Sequence, residues 1–194
     1  MAKLYFNYST MNAGKTTVLL QAAHNYSERG MTPFLLTAGI DTRSGNGKIK
    51  SRIGLEKLAQ IFSKNANLFT RIKKANSKRT ISCVFVDEAQ FLSTKQVWQL
   101  AKVVDELSIP VLCFGLRVDF RGNLFPGSQS LLAIADELKE VKTICHCGKK
   151  ATMVIRQLNG KTVTSGDQVQ IGGNETYTSL CRKHWLKEFK MTKT

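Results

Sequence analysis

Short apolar runs alternate with stretches of helical spacing along the first two thirds of the chain. Leu4-Tyr5-Phe6 opens a strand over Leu4 to Tyr8. A helix follows from Lys15 to Glu28, with Thr17-Val18-Leu19-Leu20-Gln21-Ala22-Ala23 inside it. Arg29-Gly30 stops it, with glycine where a helix commonly ends in left-handed backbone. Phe34 to Ala38 predicts the second strand. Ile81 to Asp87 is an almost unbroken apolar run ending in an acid, as in a parallel strand buried on both faces. Thr94 to Leu107 places Val97, Leu100, Ala101, Val104 and Leu107 on one helical face. Ile109 to Gly115 is another buried strand. Weaker patterns put a short strand at Ala59 to Phe62 and helices at Ala66 to Ala75 and Ser130 to Leu138. Asp41 to Gly54 is rich in Gly, Ser, Lys and Arg and has no periodicity, which predicts a mobile loop.

Strands alternating with helices predict an α/β fold, a parallel sheet with helices on both faces. The texture changes after Lys142. Cysteines appear, and two strand-like runs, Thr152 to Leu158 and Gln168 to Ile171, follow, with Asn159-Gly160 as a turn signal. The expected division is an α/β domain over 1–142 and a small subdomain over 143–194.

Composition narrows the class. The chain has 194 residues, 42% of them hydrophobic, enough for one compact domain with a small appendage. No apolar run approaches the ~20 residues of a membrane span. Met1-Ala2-Lys3 leads straight into a strand, which predicts no secretory leader and a cytoplasmic protein. In that reducing setting the five cysteines are read as metal ligands or core residues before disulfides. The net charge is +15, and between Arg43 and Arg79 eleven basic residues face one acid, Glu56. Such a charge suits nucleic acid, small anions such as nucleotides, or a solvated face, and by itself does not choose among them.

Two patterns carry chemistry. Ser9-Thr10-Met11-Asn12-Ala13-Gly14-Lys15-Thr16 lies between a strand and a helix, the setting in which a GxxxxGK[ST] loop binds phosphate. Backbone N–H groups point at phosphate oxygens, Lys15 reaches the outer phosphates, and the Thr16 hydroxyl is a Mg²⁺ ligand. Ser9 stands where the general pattern has glycine. At the tip of the strand ending in Val86, Asp87 is placed to assist Mg²⁺, and Glu88 is a candidate base for a hydroxyl or water proton. The second pattern is Cys145-x-Cys147 followed, after 33 intervening residues, by Cys181-x-x-His184. Two close pairs separated by a loop are the usual build of a four-ligand structural Zn²⁺ site. Cys83 and Cys113, inside apolar strands, are read as core residues. Asp41-Thr42-Arg43 offers an acid and a cation at the loop, or a solvated turn. Phe120 and Phe125 stack on a base or pack a core. Gly172-Gly173 permits close backbone approach to a ligand.

Taken together these residues resemble the thymidine kinase family of the type found in vertebrate cytosol, many bacteria, large phages and poxviruses. The resemblance runs in order through Met11 to Thr16, Asp41-Thr42-Arg43, Val86 to Phe91, Gly115 to Gly122, and Ile171-Gly172-Gly173 through Cys181 to Trp185. It implies a P-loop, RecA-like sheet with a small C-terminal zinc-bound lasso. It also implies transfer of the γ-phosphoryl of ATP to the 5′-hydroxyl of thymidine or deoxyuridine. Glu88 is then the base that activates that hydroxyl. The ATP and its phosphates fall to Ser9 through Thr16, Asp41, Arg43, Asp87 and Gln90, with Thr16 and Asp87 serving Mg²⁺. Met11, Phe91, Phe120, Phe125, Gln168, Val169, Gln170, Ile171, Gly172 and Tyr177 fall on the nucleoside, the last six through the lasso. Cys145, Cys147, Cys181 and His184 hold Zn²⁺ at the lasso base. The resemblance further implies a homotetramer inhibited by thymidine triphosphate, with no membrane or sequence-specific nucleic-acid partner. The basic segment Lys48 to Arg79 matches no motif of the family.

Another class fits the charge and the zinc pattern: a nucleic-acid-binding ATPase. The chain is short for a motor core plus a DNA-binding domain, and shows no helix-turn-helix, RRM or zinc-finger helix pattern. A zinc-stabilised nucleotide-binding regulator without turnover leaves Glu88 without a task.

Overall fold

The computed structural model describes residues 1–39, 47–170 and 176–191. In chain order the elements are β1 (Leu4–Ser9), α1 (Lys15–Glu28), β2 (Pro33–Ala38), β3 (Lys48–Lys50), β4 (Glu56–Leu58), β5 (Gln60–Phe62), α2 (Leu68–Asn76), β6 (Cys83–Val86), a 3-10 turn (Ala89–Phe91), α3 (Thr94–Leu107), β7 (Val111–Leu116), α4 (Pro126–Ile134), β8 (Glu137–Glu140), β9 (Met153–Leu158), β10 (Lys161–Val163), β11 (Tyr177–Leu180) and α5 (Arg182–Met191).

Six strands form one sheet in the order β5-β2-β6-β7-β1-β8, every pairing parallel. Strand side chains alternate between faces, and here both faces are apolar. Val84 and Val86 of β6, and Val111 and Cys113 of β7, enter a large core with α2, α3 and α4. Their neighbours Cys83, Phe85, Leu112 and Phe114 pack on the opposite face against Leu19, Leu20 and Ala23 of α1. That sandwich leaves the C-terminal strand ends as the place where polar loops converge. α3 starts in a capping box: Ser93 accepts from the Gln96 N–H while the Gln96 side chain accepts from the Ser93 N–H.

A second, three-stranded antiparallel sheet, β10-β9-β11, carries α5. Its small core joins Cys145, Ala151, Ile155, Leu180 and Cys181 to Trp185 and Phe189.

Several expectations shift. The described part of the expected mobile loop holds β3, which pairs antiparallel with β4 around buried Ile49. The helix expected at Ser130 to Leu138 spans Pro126–Ile134, with proline in its first turn where the missing N–H costs nothing. Glu137 and Leu138, expected inside it, belong to edge strand β8. Residues 168–170 of the expected strand Gln168 to Ile171 are irregular, and Ile171 lies outside the described residues. β10, β11 and α5 carry no expectation from the sequence.

Candidate active site

The phosphate-binding loop turns from β1 into α1 at the C-terminal edge of the sheet. Asn12 and Gly14 have φ of 59° and 77°, and Gly14 is the left-handed cap of α1. The first N–H groups of any helix lack an intrahelical acceptor, and this turn aims the N-terminus of α1 at the C-terminal edge of the sheet, the usual arrangement for anion binding. The Lys15 ammonium donates to the Thr10 carbonyl at 2.7 Å, so it curls over the loop. Thr16 Oγ1 lies 3.4 Å from Asp87 Oδ2, which brings together the two oxygens assigned to Mg²⁺ from the sequence. Both are hard oxygen ligands, the type Mg²⁺ takes.

Hydrogen bonds to the chain beyond residue 140 hold the loop from behind. Ser9 donates to the Val141 carbonyl, Thr10 to the Met153 carbonyl at 3.0 Å, Ser179 to the Met11 carbonyl at 2.6 Å and Thr143 to the Asn12 carbonyl at 3.3 Å. Ser9, in place of the pattern's glycine, thus has a hydrogen-bonding task.

Glu88 follows Asp87 with φ 53° and ψ 40°, a left-handed backbone that a non-glycine residue rarely adopts. The 3-10 turn after it is wedged between two glycines. A Cβ on Gly115 would meet Gln90 Oε1 at 2.8 Å and the Gln90 nitrogen at 2.9 Å. One on Gly127 would meet the Ala89 carbonyl oxygen at 2.5 Å. Gln90 is buried; its amide donates to the Glu88 carboxylate and accepts from the Leu116 N–H at 3.0 Å. It therefore points at the carboxylate of Glu88 and bridges it to β7.

A cavity of about 730 Å³ runs over this edge, lined by Met11 through Thr17, Asp87, Glu88, Leu116 and the β3 hairpin from Lys48 to Gly54. The hairpin brings Lys48, Lys50 and Arg52 of the basic segment to the wall above the phosphate loop. Asp41 and Arg43, Ile171 and Gly172 lie outside the described residues.

Beside the cavity, Phe120, Val154 and Tyr177 form a buried cluster against Met11. Phe91 and Phe125 meet edge to face at 6.0 Å. Asp119, 2% exposed, organises the segment before them: its Oδ1 accepts the N–H groups of Arg121 and Asn123 at 2.9 Å each. Its Oδ2 accepts from Gln168 Nε2 at 3.0 Å, and the Tyr177 hydroxyl donates to the Gln170 carbonyl at 2.7 Å. Gln168 and Tyr177 thus brace the described part of the lasso through their side chains, and Val169 lies between the two braces. Trp185 Nε1 donates to the carbonyls of both Phe120 and Val154 at 3.1 Å. The hydroxyls of Thr143 and Ser179 carry no expectation from the sequence, and Asp119 and Trp185 enter there only as members of the segments Gly115 to Gly122 and Cys181 to Trp185, with no role of their own.

The four expected metal ligands converge, their donor atoms all within 4.8 Å of one another. His184 Nδ1 is 3.4 Å from Cys145 Sγ and 3.3 Å from Cys181 Sγ, and Cys147 Sγ is 3.9 Å from Cys181 Sγ. A tetrahedron around zinc has edges of about 3.6–3.8 Å with such ligands, so the set fits the ion and is far too open for disulfides. The left-handed turn at Gly148 presents the first pair, and Cys181 and His184 open α5. Burial pushes the Cys145 thiol up, but the N–H groups of Cys147 and Cys181 with the His184 and Cys147 side chains outweigh it, bringing it down to about 6. A thiol so placed is readily a thiolate ligand. By contrast, burial pushes Cys83 up to about 12 despite its contact with the Tyr26 hydroxyl, and raises Cys113 as well. Both are inert core thiols.

A parallel sheet, a phosphate loop at its C-terminal edge, and two consecutive acids at the tip of β6, one strand removed from β1, define a P-loop phosphotransferase. The model of the thymidine kinase family matches residues 2–185. The thymidine kinase of Ruegeria pomeroyi is 66% identical over 95% of this chain and 94% of its own length. Those of Agrobacterium fabrum and Photobacterium profundum are each 57% identical, over 97% and 95% of this chain and 98% and 97% of their own lengths. The chain belongs to the thymidine kinase family, and it is a nucleoside kinase.

Proposed function

We propose that the protein transfers the γ-phosphoryl group of ATP to the 5′-hydroxyl of thymidine, and of deoxyuridine, giving the 5′-monophosphate and ADP. The observation that supports this best is the junction of three parts. The phosphate loop, Glu88 on its braced turn, and the aromatic cluster at Met11, Phe120 and Tyr177 all border one edge of the sheet.

In this reading the β- and γ-phosphates lie on the loop N–H groups and Lys15, with Arg43 and Asp41 serving them from the adjoining segment. Glu88 takes the proton of the 5′-hydroxyl as that oxygen bonds to the γ-phosphorus and the bond to the bridging oxygen of ADP breaks. Thr16 and Asp87 would hold the Mg²⁺ brought with ATP, which would supply charge neutralisation on the phosphates. Most of the catalysis is positioning and electrostatics, as is general for phosphoryl transfer. The thymine base sits against Met11, Phe91, Phe120 and Phe125, with the lasso from Gln168 to Gly172 supplying backbone hydrogen bonds. Closure there excludes the water that competes as acceptor. Lys48, Lys50 and Arg52 on the cavity wall support a steering role of the basic excess toward anionic nucleotides. Zinc at Cys145, Cys147, Cys181 and His184 is structural, since four protein ligands leave no open position. Thymidine triphosphate is the proposed feedback inhibitor. The proposed assembly, implied by the family resemblance, is a homotetramer.

A nucleoside panel with ATP and Mg²⁺ tests the reading. Thymidine should be phosphorylated, and purine nucleosides rejected by several orders of magnitude, because a site that hydrogen-bonds one base leaves its own groups unpaired with another. Comparable turnover of deoxyguanosine would overturn it. DNA-stimulated ATP hydrolysis without monophosphate formation would favour the nucleic-acid ATPase instead.

A further inference from the structure

Arg156 is the lone charge in the strand Met153–Leu158, and it is 5% exposed. A buried guanidinium is costly unless its surroundings use it. Its Nη1 donates to the Asp167 carbonyl at 2.8 Å and its Nη2 to the Ser165 carbonyl at 3.2 Å. Its Cζ lies over the Phe120 ring, 4.0 Å from the ring centre. Gly166, between the two accepted carbonyls, has φ 108°, and a Cβ there would meet Arg156 Nη2 at 2.9 Å. The chain thus passes close to the guanidinium in a backbone conformation that favours glycine. Two residues further on, Gln168 is fastened to Asp119, the residue preceding Phe120.

We propose that Arg156 is a positioning residue for the nucleoside: it latches residues 165–167, which lead into the lasso, to the ring of Phe120, so that lasso and aromatic wall move as one. Arginine suits the task because its planar fork reaches two carbonyls while its face stacks on an aromatic ring, which lysine cannot reproduce. This rests on the nucleoside lying between Phe120 and the lasso. The latch acts on nucleoside binding and leaves the phosphate side of the site alone, since none of its partners belongs to the phosphate loop.

Steady-state kinetics of the full-length zinc-loaded protein, as wild type, Arg156→Lys and Arg156→Met, test it. Each protein is also assayed for bound zinc, thermal midpoint and equilibrium affinity for ADP. The KM for thymidine should rise about 10- to 100-fold in Arg156→Met, with the smaller rise in Arg156→Lys, a misplacement effect of usual size. The kcat should stay within about threefold, and zinc content and ADP affinity should not change. An unchanged KM in a folded Arg156→Met protein would overturn the latch. So would a matched loss of zinc, ADP affinity and thermal stability in both variants, which marks a merely structural residue. If Arg156→Met does not fold, Arg156→Lys decides on the same criteria. Failure of the wild type to phosphorylate thymidine would strike the proposed function instead, so the two failures are distinguishable.

Discussion

Glu88 and Asp87 are neighbours in sequence with separate surroundings. Asp87 is buried 3.4 Å from the Thr16 hydroxyl, whereas Glu88 faces the cavity on a left-handed backbone and meets the Gln90 amide. Glu88→Gln keeps size and hydrogen bonding but removes the proton acceptor. Its kcat should fall roughly 10²–10⁴-fold, with ADP affinity little changed. Asp87→Asn should instead weaken the response to Mg²⁺, measured as rate against metal concentration. A near-normal kcat in Glu88→Gln would remove Glu88 from the role of base. At this scale the sequence was informative where chemistry demands a residue type at fixed spacing: Gly14-Lys15-Thr16, Asp87-Glu88 and the cysteine pairs. Arg156 was not legible, because its partners are backbone carbonyls nine and eleven residues on, and neither was the bracing role of Asp119, whose contact with Gln168 spans 49 residues; no local pattern records such contacts.

The 3-10 turn Ala89–Phe91 shows how an element of three residues can be set by its neighbours. Its backbone is pressed by Gly115 on one side and Gly127 on the other, and in both cases the atoms a Cβ would meet include main chain, which retreats poorly. Gly115→Ala should therefore shift the turn that carries Glu88. The expectation is a loss of about 1–3 kcal/mol in stability by overpacking, together with a fall in kcat of about tenfold or more. Thermal unfolding and steady-state kinetics of the one variant read both, and a normal kcat would show that the turn is not the support of Glu88. Among elements, legibility followed burial. β6 and β7 were visible because both faces are apolar, and α3 because one face is. β8, with the sequence Glu137-Leu138-Lys139-Glu140, is an edge strand whose charges leave no apolar run to detect. β3 offers one buried residue in three, too few for any period to show. The expected helix at Ser130 to Leu138 was displaced because Leu131, Leu132 and Ile134 are helical but the following apolar Leu138 belongs to a strand.

At the scale of the whole molecule, the part of the chain beyond residue 142 touches the nucleotide site from behind. Cys181→Ser should lower the thermal midpoint and raise the KM for thymidine, since Cys181 opens the helix whose Trp185 holds Phe120 and Val154. Protein purified without chelators should carry about one zinc per chain, read by metal analysis. The hydroxyls of Thr143 and Ser179, together with the Met153 carbonyl, hold the phosphate loop by its own carbonyls and its Thr10 hydroxyl. Ser179 lies two residues before Cys181, so the metal and the phosphate loop are a few bonds apart through β11. Two sites joined in that way obey reciprocity: whatever factor zinc contributes to nucleotide affinity, nucleotide must contribute to zinc affinity. ADP, a molecule that never meets the metal, should then act as a guard on it. In equilibrium competition with a colorimetric chelator, zinc should be held more tightly when ADP is present and less tightly when Ser179 is changed to alanine, and a zinc affinity indifferent to ADP would mean that the two sites keep separate accounts.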